Sequence, residues 1–99
     1  MIRHVVLWRL TSRGRDRLHD IEAALRAQLG RIPGLLRVET GRNVATSRHA
    51  VDFALVCDFE SHEALNGYHR HPVHMQTRAI VDPLVEEHWI VDYELPTRG

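Results

Sequence analysis

The chain has 99 residues with 43% hydrophobic content, and its thirteen basic and thirteen acidic residues cancel. That length suits a single domain over residues 1–99 with a modest core, and the charge balance leaves no electrostatic footprint for nucleic acid. Every basic residue is arginine, which excludes Schiff-base chemistry on lysine; the single cysteine, Cys57, excludes an internal disulfide and suits a reducing compartment. Eight histidines are many for so short a chain, and the protein should turn net positive in mild acid.

The chain opens Met1-Ile2-Arg3-His4 and runs at once into a strand pattern. No signal peptide and no membrane span are expected, and the reading is cytoplasmic. Residues 2–10 alternate, with Ile2, His4, Val6, Trp8 and Leu10 on one face and Arg3, Val5, Leu7 and Arg9 on the other. This places His4 on an apolar face. Residues 11–15 read as a polar loop. From Asp16 the period changes, and Leu18, Ile21, Leu25, Leu29 and Ile32 make a helical stripe that Pro33-Gly34 stops.

Residues 35–44 read as a second strand and 45–50 as a hairpin loop. Residues 51–59 are the clearest strand, with Val51, Phe53, Leu55, Cys57 and Phe59 facing one way. Cys57 there is most simply an inert core thiol. Ser61 can cap a helix that contains Ala64, Leu65 and Tyr68. The last strand spans 87–95, with His88, Ile90 and Asp92 on one face and Trp89, Val91 and Tyr93 on the other.

Strand and helix thus alternate as βαββαβ. That order predicts an α+β, ferredoxin-like fold: a four-stranded antiparallel sheet with helices on one face. The other face should then be polar. Instead Val5, Leu7, Val56, Trp89, Val91 and Tyr93 make it apolar. A contiguous apolar patch marks an interface, so the expected assembly is a homodimer packed sheet to sheet.

The densest stretch of reactive groups is Tyr68-His69-Arg70-His71-Pro72-Val73-His74. Pro72 disfavours the α conformation at His71, so the incoming helix should break there. Pro72 then suits the first position of a new helical segment. His74 falls in its first turn, where the helix dipole disfavours an imidazolium and favours a proton-accepting imidazole. His69, His71 and His74 lie across a break at i, i+2 and i+5, which is not a metal-ligand spacing. A bland reading stands beside the catalytic one: Tyr68, His74 and His4 as a hydrogen-bonded cluster that only stiffens the core.

These residues resemble the stress-responsive A/B barrel (Dabb) family over nearly the whole chain. The marks are Ile2-Arg3-His4-Val5-Val6-Leu7, Ile32-Pro33-Gly34, Phe59-Glu60-Ser61, Tyr68 with His71-Pro72-Val73-His74, and Val91-Asp92-Tyr93. The resemblance implies a dimeric α+β barrel. Around the histidines it is nearest the plant-type polyketide cyclases, which close an aromatic ring by intramolecular aldol condensation without a cofactor. It implies His74 as base and Tyr68 as its partner, with a hydrogen bond between them, and His4 as a secondary polar group. It also implies a pocket for a hydrophobic small molecule or polyketide thioester. The lining would be Val6, Trp8, Ile21, Leu25, Leu55, Cys57, His71, Met75, His88 and Ile90. His69 and His88 are polar where that branch has aliphatic residues, and Ile21 and Leu25 replace aromatics. No cofactor and no metal are expected. Two other readings are a non-catalytic ligand-binding or stress-response dimer, and a histidine-rich metal or haem binder.

Overall fold

The computed structural model describes residues 1–96. Strand β1 (Ile2–Leu10) is followed by helices α1 (Ser12–Asp16) and α2 (Leu18–Arg26), then strands β2 (Leu35–Arg42) and β3 (Phe53–Phe59). Helices α3 (His62–Arg70) and α4 (Pro72–Val81) follow, then a 3₁₀ turn (Asp82–Leu84) and strand β4 (Val85–Glu94). The sheet order is β2-β3-β1-β4 with every neighbouring pair antiparallel. This is the ferredoxin-like α+β arrangement that the element order predicts.

The alternation of β1 explains its central place. Ile2, His4, Val6, Trp8 and Leu10 are all buried under the helices. Val6 pairs with Leu55 on one side and with Ile90 on the other. Trp8 stacks on Phe53 with ring centroids 5.6 Å apart. From the helices, Ile21, Leu25, Leu65, Tyr68 and Val81 complete the core.

Several boundaries differ from the sequence reading. Residues 12–16 are a short helix, not a loop. Thr11 caps it by accepting from the Gly14 N–H at 2.9 Å. Helix α2 ends at Arg26, short of the predicted stripe. Its last turn tightens to i→i−3 bonds, Gln28 N–H to the Leu25 carbonyl at 3.3 Å and Leu29 N–H to that of Arg26 at 3.2 Å. Gly30 then takes a positive φ of 84°. The tighter turn carries Gln28 fully inside and leaves Leu29 exposed, the reverse of what a 3.6-residue period predicts. Strand β2 stops at Arg42 and β3 starts at Phe53, because the Asn43 side chain bonds the Val51 carbonyl and closes the loop early.

Beyond the helices, the second sheet face is bare. Leu7, Trp89, Val91 and Tyr93 are exposed, and Arg9 sits over the Trp89 ring at 5.4 Å. Asp58, on this face, is buried beneath Arg3, whose guanidinium donates to both carboxylate oxygens at 2.8 and 3.0 Å. Edge strand β4 is exposed along nearly its whole length. Among the described residues no helix is long and apolar enough to cross a membrane.

Candidate active site

The chain breaks between α3 and α4 where the proline requires it. Ser61 caps α3 by accepting from Ala64 N–H at 3.1 Å. His71 ends that helix in extended conformation and caps the next, its Nδ1 accepting from Val73 N–H at 3.1 Å. Pro72 opens α4, and His74 lies in its first turn. Between this helix layer and the sheet lies a cavity of about 200 Å³, largely apolar in its walls. Val6, Trp8, Leu25, Leu55, Val81, Val85 and Ile90 supply the apolar lining. His4, Tyr68, His69, His74, Thr77, Arg78, Asp82 and His88 supply the polar groups.

The three residues expected to work together therefore share one cavity, though not by the expected bond. The Tyr68 and His74 rings lie against each other, centroids 3.9 Å apart and tilted by 36°. The hydrogen bond of His74 goes instead from Nδ1 to Gln28 Oε1, at 3.0 Å. Gln28 is fully buried, and its Nε2 donates to the Leu25 carbonyl at 3.2 Å. That second bond fixes the amide orientation, so Oε1 can only accept from His74. The His74 proton therefore sits on Nδ1, and Nε2 keeps its lone pair. Burial, helped by the nearby charges of His69, Arg78 and His4, pushes His74 down from 6.5 to about 4; Asp82 opposes this weakly. At neutral pH His74 is an uncharged proton acceptor, as its helix position predicts, but desolvation is the larger cause.

Tyr68 is buried, and desolvation pushes its phenol well above the ordinary tyrosine value, with the nearby Gln28 amide opposing in part. It stays a protonated donor. His69 is lowered by burial and by His4, its ring 5.9 Å from His4 and 6.2 Å from His74. His4 is buried with Nδ1 2.5 Å from Asp92 Oδ1. Among the described residues no three His, Cys, Asp or Glu side chains converge in a metal-holding group.

Of the expected lining, Val6, Trp8, Leu25, Leu55, His88 and Ile90 border the cavity. The other four do not. Ile21 and Cys57 lie wholly inside the core, where burial raises the Cys57 thiol to about 12. The His71 ring is used as a helix cap. Met75, on the outer side of α4, is half exposed. Sequence reasoning missed Thr77, Arg78, Val81, Asp82 and Val85. The i+3, i+4 and i+7 spacing from His74 would have found three of them, since it continues one helix face.

A family model described as Stress responsive A/B Barrel Domain matches residues 2–95. The chain belongs to that family. Among solved structures, this Dabb chain is similar to a dimeric ferredoxin-like protein of unknown function from Thermobifida fusca. The two are 27% identical with a TM-score of 0.83, over 95% of this chain and 90% of that one. It is similar to a Dabb family protein with a ferredoxin-like fold from Mesorhizobium loti, at 26% identity and TM-score 0.74, over 97% of each chain. A hydroxynitrile lyase from Passiflora edulis shares the fold at 16% identity and TM-score 0.84, over 99% of this chain and 95% of that one. No curated protein sequence matches this Dabb chain.

Proposed function

We propose that this Dabb protein is a homodimer whose cavity closes a ring in a hydrophobic, linear polyketide thioester by intramolecular aldol condensation, with no cofactor. The observation that carries the reading is a neutral His74, its Nε2 lone pair free, beside a protonated Tyr68 in an apolar-lined cavity. His74 takes an acidic proton from a carbon between two carbonyls. The enolate carbon attacks a second carbonyl of the same chain, and the new alkoxide takes a proton. Tyr68 is the donor to the developing oxyanion. The apolar walls fold the chain so that the two carbons meet. The homodimer is supported by the exposed apolar sheet face and by the dimeric Thermobifida relative.

A second reading is a dimer that binds a ligand without turnover. It gains weight from cavity size, since about 200 Å³, small beside ligand pockets of roughly 300–1,000 Å³, holds a small ligand more easily than a linear chain folded on itself. One assay separates the two. A synthetic linear tetraketide thioester is incubated with the protein, and the ring-closed product is sought by mass and absorbance. Wild type should close the ring, and His74→Ala should abolish closure with fold and dimer intact. Tyr68→Phe should lose ~10²–10³ in rate, the scale of one oxyanion donor. Saturable binding with no product from wild type selects the second reading.

A further inference from the structure

His4 has no step of its own in that scheme, yet it is built as carefully as His74. It sits in the middle of β1, buried, directly across the ladder from Asp92 of β4. The ladder register, not a flexible side chain, brings Nδ1 within 2.5 Å of the Asp92 carboxylate. A carboxylate can only accept, so a proton sits on Nδ1, and in the neutral ring Nε2 is the nitrogen that keeps its lone pair. The Asp92 side chain is about one-third exposed. Its charge therefore remains hydrated while the ring it holds is dry. In such a pair the carboxylate fixes the tautomer, orients the ring and stabilises the imidazolium that forms when the ring accepts a proton.

We propose that His4 and Asp92 form a second proton-transfer dyad of the cavity, with His4 Nε2 as the accepting atom and Asp92 as a positioning residue. This rests on reading the cavity as a proton-transfer site, and not on the identity of its substrate. The two histidines occupy opposite walls, His4 on the sheet and His74 on the helix layer. They are also held differently, His4 by a carboxylate that shares its charge and His74 by a neutral amide. Ring closure followed by loss of water removes two carbon-bound protons in turn. Two bases on opposite walls can each take one.

The test uses a probe unrelated to polyketides, 5-nitrobenzisoxazole. A base removes its ring C–H proton, the electron pair forms the nitrile, and the N–O bond breaks to a coloured nitrophenolate, so no other reactant is needed. Wild type should accelerate this elimination over buffer, and His4→Gln should lower the rate by ~10²-fold. Asp92→Asn should lower it too, and Asp92→Glu should restore part. A purely structural Asp92 would leave the pH profile in place. A positioning Asp92 makes the acid limb move to lower pH in Asp92→Asn. The groups facing His4 that shape this limb are Asp92 from β4, Cys57 from β3, Tyr68 and His69 from α3, and His74 and Arg78 from α4. No elimination above buffer in wild type, an unchanged rate in His4→Gln, or an unmoved limb in folded Asp92→Asn overturns the dyad. If elimination follows the dyad while no thioester closes, the polyketide reading falls and the dyad stands. If thioesters close but elimination ignores His4, the reverse holds.

Discussion

His74 is held neutral by burial, and that has a cost which shows only in acid. In the unfolded chain it titrates near 6.5, and in the folded protein near 4. Between those values the unfolded state binds a proton that the native state does not, so native stability falls as pH drops below 6.5. The fall from this group ends once pH is below 4, where both states are protonated. His69, also lowered by burial, adds to it. Asp58 and Glu22 add a loss at lower pH. Hydrogen bonds from Arg3 and Arg42 hold their carboxyls below the ordinary values of 3.8 and 4.5, so their stabilisation is lost as pH falls below those values. Urea unfolding from pH 7 to pH 4 should therefore show a loss that His74→Leu reduces. An equal loss in that variant would place the titration elsewhere.

At this scale the motif residues were legible and their partners were not. Tyr68, His74 and Pro72 stand out in the chain, and alternation alone put His4 on the buried face. Gln28 was hidden because an even helical period places Leu29 inward, and only the i→i−3 tightening after Arg26 reverses them. Asp92 was visible on its face, but its pairing with His4 depends on strand register, which alternation does not determine.

At the scale of elements, α1 is the one that pattern could not find. Ser12-Arg13-Gly14-Arg15-Asp16 has no apolar period and a glycine at its centre. It forms because Gly14 lies directly against the backbone of Leu84, where a Cβ would fall on the carbonyl oxygen and crowd Leu10. Thr11 adds to the same contact, its N–H donating to the Leu84 carbonyl at 3.0 Å. Gly14→Ala should lower stability by roughly 1–3 kcal/mol through overpacking, although alanine is the better helix former. Urea titration checks this; a stabilised variant would show that propensity outweighs the contact. The break at His71-Pro72 was legible because proline restricts the residue before it wherever it occurs.

For the whole molecule, the sheet is covered on one side only. Val91 pairs with Val5, and Trp89 with Leu7, in the middle of the bare face. The homodimer proposed above buries these residues, and Val91→Glu would bring an unpaired charge into that interface. Sedimentation at micromolar concentration should give a dimer for wild type and a monomer or unfolded chain for the variant. A monomeric wild type contradicts the assembly. The ferredoxin-like layout was readable from the order of periods, and the interface from the wrong polarity of one face. The cavity was not, because its volume depends on how far α4 stands from β1 and β4.

The functional account depends on one property of the assembled molecule: a neutral His74 whose free nitrogen is Nε2, next to an apolar cavity. The most direct measurement is the ¹⁵N and ¹³C chemical shift of the His74 ring, followed by NMR in the intact protein from neutral pH to about pH 4. The prediction is the Nδ1–H tautomer at neutral pH, with protonation only near 4. A His74 that carries its proton on Nε2, or that titrates at its ordinary value of 6.5, would contradict the account.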